Sequence, residues 1–121
     1  MNRILLIEGH SLMRSAVKDL LPREGMDSII EISDPIRAAG QVKEFAPSVI
    51  ILDGTWAEVN GLWLTRLLRE LAPQSKILLL LDDSRQDYQD AARTSGADAC
   101  IDKSTLAQDL VPTLSRWNQE K

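Results

Sequence analysis

The sequence has 121 residues, of which 44% are hydrophobic and 26% charged, and its formal net charge is −4. This length fits one domain, and the composition is that of a globular protein and excludes a disordered one. The acidic balance and the lack of a Lys/Arg cluster argue against a domain that binds nucleic acid through its phosphates.

Five short apolar runs predict β-strands, and each is followed by a segment of helical period. The predicted strands are Ile4–Ile7, Ser28–Ile32, Ser48–Asp53, Ile77–Leu81 and Ala97–Ile101. The first predicted helix has Leu12, Ala16, Val17, Leu20 and Leu21 on one face, and the second runs from the N-cap Asp34 to Phe45. The third covers residues 62–71, and the fourth lies between a capping box that begins at Ser84 and a stop at Gly96. The fifth starts at Ser104 and has Leu106, Leu110 and Leu114 on one face. Pro112 inside the last helix predicts a kink or an early stop.

The order of elements is therefore βα repeated five times. Strands that are apolar throughout, rather than alternating, are covered on both faces, which is typical of a parallel sheet with helices on both sides. Five units are too few for an eight-stranded barrel. The predicted fold class is α/β, an open, doubly wound parallel sheet.

Polar residues follow the predicted strands at their carboxyl ends, where sites form in open parallel sheets. They are Glu8, Asp53, Asp82 after Leu81, and Lys103. The lysine can neutralise a phosphoryl oxygen, and the acids can hold a hard divalent cation such as Mg²⁺. For Glu8 two interpretations stay open, a metal ligand and a carboxylate that faces water.

Other residues carry weaker signals. His10 is interpreted as a helix-start residue, because no partner acid is specified for it. Cys100 is interpreted as a small buried hydrophobe. Trp56 and Trp63 mark either a partner surface or packing against the domain's own helices.

Three stretches resemble the receiver domain of bacterial two-component response regulators, especially regulators with a LuxR-type DNA-binding output. They are ILLIEGHSLMRSAVKDLL, PSVIILDGTWAEVNGLWLTRLLRELAPQSKILLLL and GADACIDKS. They follow one another in the family's order from Ile4 to Ser104, so residues 1–121 are expected to form one receiver domain. The resemblance implies a flavodoxin-like sheet of strand order 2-1-3-4-5.

The resemblance also implies a mechanism. A histidine kinase or phosphotransfer protein passes a phosphoryl group to Asp53, and Lys103 binds a phosphoryl oxygen. Mg²⁺ is held by Glu8, Asp53 and the backbone carbonyl of Thr55. Such a domain is not an enzyme in its own right, and it acts on an output domain or a homodimer partner.

The sequence departs from the family's pattern at the site. Gly9 stands where a second acid is usual, and Glu8 is one methylene longer than the usual Asp. Leu81 replaces a hydroxyl residue at the end of the fourth strand, and Cys100 replaces an aromatic on the fifth. We therefore expect weak Mg²⁺ binding, and the departures favour a second hypothesis, a receiver that works through protein contacts without phosphorylation.

Two enzyme-like or carrier alternatives fit less well. A phosphatase with an aspartyl nucleophile needs a second acid where Thr55 stands. A flavodoxin-like carrier needs a phosphate-binding loop after the first strand, where Glu8 has the wrong charge.

The cellular setting is predicted from two features. The single cysteine excludes a disulfide framework and favours a reducing compartment. The first apolar run, Ile4–Ile7, is too short for a signal peptide or a membrane span. We therefore expect a cytoplasmic protein without a membrane or nucleic-acid partner of its own.

Overall fold

The computed structural model describes residues 3–21, 28–54, 60–82 and 85–120. Strands and helices alternate along these ranges. The strands are β1 (Arg3–Ile7), β2 (Ser28–Ile32), β3 (Val49–Asp53), β4 (Lys76–Leu81) and β5 (Ala99–Asp102). The helices are α1 (Ser11–Leu20), α2 (Ala38–Phe45), α3 (Gly61–Leu71), α4 (Gln86–Ser95) and α5 (Leu106–Gln119), with short 3₁₀ turns leading into α2 and α5. Of the helices in these ranges, none combines the length and hydropathy of a membrane-crossing segment.

The strands form one parallel sheet in the order β2-β1-β3-β4-β5, as the resemblance implies. Side chains of a strand point alternately to the two faces, and here both faces are covered. Leu5 and Ile7 pack with α2, α3 and α4, whereas Ile4 and Leu6 pack with α1 and α5. The two apolar layers explain why the strands carry continuous apolar runs.

The direction of winding reverses at β1. The chain leaves β1 for β2 on one side of it and later returns to β3 on the other side. In open parallel sheets a crevice forms at this reversal, outside the carboxyl ends of the two central strands. The residues that end β1 and β3 are therefore the ones that this topology brings to a cleft.

The early stop predicted at Pro112 is wrong. Helix α5 runs from Leu106 to Gln119 with Pro112 inside it. Pro112 and Gln108 are both exposed, so the carbonyl of Gln108 that loses its helical hydrogen bond can meet solvent. Leu110 and Leu114, both fully buried, hold the helix against the sheet on either side of the proline.

The predicted apolar face of α1 is also partly wrong. Leu12 is 75% exposed, and Ala16 is exposed as well. The face that packs on the sheet carries Val17, with Met13 partly buried beside it. Leu20 and Leu21 of the predicted face pack in the same layer, so the prediction fails only at Leu12 and Ala16.

Helix α4 begins one residue later than the capping box predicts. Arg85 is its N-cap and makes no side-chain capping bond, and Ser84 lies outside the described residues. The predicted end is confirmed, because Gly96 follows the helix with a φ of 117°. A Cβ at Gly96 would also lie 2.8 Å from the Cβ of Arg69, so glycine is required there on two counts.

Candidate functional site

The centre of the site is an ion pair between Asp53 and Lys103. Asp53 ends β3 and is only 6% exposed. Lys103 directly follows β5, in a 3₁₀ turn whose N-cap Asp102 accepts hydrogen bonds from the backbone N–H and the hydroxyl of Ser104. The Nζ of Lys103 lies 3.0 Å from Oδ1 of Asp53. The fold thus brings together the two residues that the sequence marks as acceptor and phosphoryl-binding group.

Glu8 lies beside this pair and is fully buried, so the interpretation in which it faces water is wrong. Its backbone N–H donates to the carbonyl of Ile32 at 3.0 Å, which continues the pairing of β1 with β2. Neither carboxyl oxygen receives a hydrogen bond from a donor in the described part of the chain. The group that it faces is the carboxyl of Asp53, and two carboxyls can share a hydrogen bond only when one of them is protonated.

The pKa of Glu8 reflects these surroundings. Burial raises this pKa most, and the hydrogen bond to Asp53 and its negative charge raise it further. The charges of Lys103 and Arg14 lower it, and the resulting pKa is about 8, against an ordinary value of 4.5. Without a bound cation, the Glu8 carboxyl is therefore mainly protonated at neutral pH.

Lys103 has two acidic neighbours at contact distance. Besides Asp53, Oδ1 of Asp82 lies 3.4 Å from its Nζ, and the side chain of Asp82 is 65% exposed. Burial lowers the pKa of Lys103, but the hydrogen bond and charge of Asp53, followed by Glu8 and Asp82, outweigh it and raise the pKa above its ordinary value. Lys103 is therefore a fixed cation, and Asp82 adds negative charge to the site.

These groups line a cleft of about 380 Å³ at the carboxyl edge of the sheet. Its walls are Glu8, His10, Met13, Asp53, Asp82 and Lys103. His10 is the N-cap of α1, which confirms its interpretation as a helix-start residue. Its place in the wall of the cleft was not predicted, because the sequence alone does not orient the start of α1.

The donor set fits a hydrated magnesium ion. Two carboxylates meet here, and the buried oxygens of Glu8 have no protein donor in the described ranges. Within those ranges no cluster of three or more His, Cys, Asp or Glu side chains has metal-binding geometry. Mg²⁺ commonly keeps several waters and takes only one or two carboxylates from the protein, so the set suits this ion. Thr55, the third predicted ligand, lies outside the described residues.

Leu81 and Cys100, which the family resemblance suggests are substituted positions, lie on the neighbouring strands β4 and β5. Leu81 is buried at the end of β4, and a Cβ placed on Gly54 would lie 2.9 Å from its Cδ2. Cys100 is half-buried on β5 and packs against the core beneath α2, α3 and α4. Burial raises the pKa of its thiol, so Cys100 is a neutral, apolar group in this structure.

Sequence reasoning missed one polar contact at the site. The hydroxyl of Tyr88, on α4, donates a hydrogen bond of 3.2 Å to the carbonyl oxygen of Gly54. The only signal was that the chain's single tyrosine falls in a helix whose other residues are small, charged or glutamine. A contact between residues so far apart in sequence needs the fold to be known.

Trp63 lies on α3 and is 56% exposed. This exposure favours the interpretation of Trp63 as part of a partner surface over packing within the domain. Trp56 lies outside the described residues.

Comparison with known proteins identifies the family and the fold of the chain. The model of the response regulator receiver domain matches residues 4–115. The chemotaxis protein CheY of Bacillus subtilis (strain 168) is 24% identical over 115 residues, which cover 95% of this chain and 96% of CheY. The transcriptional regulatory protein DegU of Brevibacillus brevis is 29% identical over 110 residues, which cover 90% of this chain but 47% of DegU.

Solved structures share the fold. A DNA-binding response regulator of the LuxR family from Staphylococcus aureus superposes with a TM-score of 0.84 at 22% identity, over 98% of this chain and 100% of that one. The signal receiver domain of the putative response regulator NarL from Mycobacterium tuberculosis gives 0.83 at 20% identity, over 99% of this chain and 98% of that one. With a family model that covers most of its length, the chain belongs to the response regulator receiver domain family.

Proposed function

We propose that this receiver domain accepts a phosphoryl group on Asp53 from a phosphohistidine of a histidine kinase or phosphotransfer protein. The observation that carries the proposal is the 3.0 Å contact between Lys103 Nζ and Asp53 Oδ1 in an open cleft. A carboxylate that is nearly buried yet reaches a cleft, next to a fixed cation, suits transfer of a dianionic group. Phosphoryl transfer depends chiefly on such positioning and charge neutralisation.

The proposed step is an in-line transfer. A carboxylate oxygen of Asp53 forms a bond to phosphorus while the bond between phosphorus and the imidazole nitrogen of the donor breaks. The electron pair of that bond stays on the imidazole nitrogen, which takes up a proton from solvent. Lys103 then donates a hydrogen bond to a phosphoryl oxygen in place of its present contact with Asp53.

Mg²⁺ is the cofactor of the proposal. Receiver domains bind Mg²⁺ at the acidic phosphorylation site, and one similar structure is the Mn²⁺-bound form of response regulator Rcp1. The ion, when bound, neutralises charge on the phosphoryl group. We assign its protein ligands to Glu8, Asp53 and the backbone carbonyl of Thr55. With a glycine at position 9, the site offers few anionic oxygens, so binding is proposed to be weak.

Phosphorylation-independent action is not favoured by the comparisons, which match the chain to receivers along nearly its whole length. One relative is a protein-glutamate methylesterase/protein-glutamine glutaminase of Archaeoglobus fulgidus, but the match spans 34% of that protein, so its activity is not carried over. The similarity to DegU supports an output partner in transcription regulation. We also propose that residues 1–121 act as one receiver domain in the cytoplasm.

The test is intact-mass measurement after incubation with acetyl phosphate and Mg²⁺. We expect one phosphoryl adduct on the wild-type chain and none on Asp53→Asn. Asp19→Asn, which alters an exposed aspartate of α1, is the matched control and should behave as wild type. Lys103→Ala should slow the reaction about 100-fold, as loss of one charge-stabilising donor does in other sites. An unmodified wild-type chain, or an adduct that persists in Asp53→Asn, would refute the proposal.

A further inference from the structure

A hydrogen bond joins α4 to the residue that follows the proposed acceptor. Tyr88 lies in the first turn of α4, and its hydroxyl is 3.2 Å from the carbonyl oxygen of Gly54. Gly54 is bonded covalently to Asp53. The contact therefore connects a helix on one face of the sheet with the main chain of the site.

Gly54 has little freedom to move on its own. Its N–H donates to the carbonyl of Leu80 at 2.9 Å. A Cβ placed on Gly54 would lie 2.9 Å from Leu81 Cδ2, and a Cβ placed on Gly61 would lie 2.5 Å from the carbonyl oxygen of Gly54. A displacement of the Asp53 main chain is therefore passed on to this closely packed peptide and to the hydroxyl that it binds.

The bond to Tyr88 is suited to change. At 3.2 Å it is longer than the usual 2.5–3.0 Å of O–H···O bonds, and both partners are neutral. Hydrogen bonds to charged groups are about twice as strong as neutral ones, so new charge near Gly54 competes for the hydroxyl. The ring of Tyr88 is half-buried against the core beneath α2, α3 and α4, so its position is coupled to the packing of α4.

We propose that Tyr88 is the positioning residue through which a change at Asp53 reaches α4. Where that change is phosphorylation, the inference rests on the proposed function and adds its route of transmission. A modification shifts a conformational equilibrium only to the extent that its interaction free energy differs between the two states. In this proposal the hydrogen bond of Tyr88 to Gly54 supplies such a difference, because it is made in the present state of the site and weakened when Asp53 changes.

The experiment compares amide NMR spectra of the full chain. Asp53→Asn removes the charge at the site, and the shifts of the α4 resonances are measured in the wild-type, Y88F and T94V backgrounds. Y88F keeps the ring and loses only the hydroxyl. T94V removes another hydroxyl of α4, which bonds within the helix to the carbonyl of Asp90 at 2.9 Å. A parallel titration adds beryllofluoride and Mg²⁺ as a mimic of the phosphoryl group.

We expect Asp53→Asn to move the α4 resonances equally in the wild-type and T94V backgrounds. In the Y88F background the shifts of the α4 resonances should be about 2- to 10-fold smaller, because one neutral hydrogen bond changes an equilibrium constant by about that factor. Equal shifts with and without the Tyr88 hydroxyl, or no α4 shift in wild type, would overturn the inference. A wild-type chain that does not respond to beryllofluoride would count against the proposed function, while the Asp53→Asn comparison still decides the role of Tyr88.

Discussion

Replacing Glu8 by glutamine tests the buried carboxyl at the site. In the unfolded chain this carboxyl has its ordinary pKa of 4.5, and in the folded protein its pKa is about 8. The folded state therefore holds this proton more tightly than the unfolded state does. The stability that the proton contributes is complete below about pH 4.5 and is lost as the pH rises through about 8.

The magnitude follows from the size of this pKa difference. At about 1.4 kcal/mol per pKa unit, the free energy of unfolding falls by on the order of 5 kcal/mol between pH 4.5 and pH 8. Glutamine has nearly the same shape and no proton to lose, so Glu8→Gln should not show this loss. The variant should match the wild type near pH 4.5 and exceed it increasingly towards pH 9.

Urea denaturation at several pH values measures this difference. The buffer contains EDTA, because a bound cation would stabilise the ionised carboxylate. Glu44→Gln, at an exposed position of α2, is the matched control and should follow the wild-type profile. Parallel profiles for the wild type and Glu8→Gln would refute the reasoning and show that Glu8 is hydrated or paired in solution.

Three further predictions test the metal site, the packing and the partner class. In an NMR titration, Mg²⁺ should half-saturate the wild type only above about 1 mM. It should bind the Gly9→Asp variant more tightly, because this change adds a carboxylate. Saturation of the wild type at micromolar Mg²⁺ would contradict the prediction. Arg69→Ala should lower the free energy of unfolding by about 2–3 kcal/mol in urea denaturation, because the guanidinium of Arg69 bonds to Asp98 and to the carbonyls of Ser75 and Gly96. Its control, Arg66→Ala at an exposed position, should change this free energy by less than about 0.5 kcal/mol. A salt-sensitive, sequence-specific gel shift with residues 1–121 is not expected at a net charge of −4, and its appearance would overturn the prediction.

The fold was predictable because its strands are buried on both faces. A continuous apolar run such as Val49–Leu52 that is followed by a helical segment has few interpretations other than a buried strand. Five such units in succession leave few possible topologies. The carboxyl ends of parallel strands meet at one edge, so Asp53 and Lys103 could be brought together from sequence alone. The strand order itself came from the family resemblance.

The parts that sequence missed depend on three-dimensional surroundings. The side chain of Glu8 could face water or the site, and only the packing of β1 between β2 and β3 decides that it is buried. Leu12 is apolar and in helical period, yet the orientation of α1 leaves it exposed. Pro112 breaks a local rule, but the buried leucines around it outweigh the loss of one hydrogen bond on an exposed face.

The leucine at position 81, where the family resemblance implies a hydroxyl residue, should limit how strongly the proposed phosphorylation acts on this domain. Leu81 packs against Gly54 and has no hydroxyl with which to follow a phosphoryl oxygen. Such a bond to a charged group contributes about 1.5–3 kcal/mol, whereas about 5.5 kcal/mol moves a two-state equilibrium from 1:99 to 99:1. The contact of Tyr88 with Gly54 is neutral and long, so it replaces only part of that difference. Phosphorylation of Asp53 should therefore shift the populations of this domain less completely than in a receiver with a hydroxyl at that position.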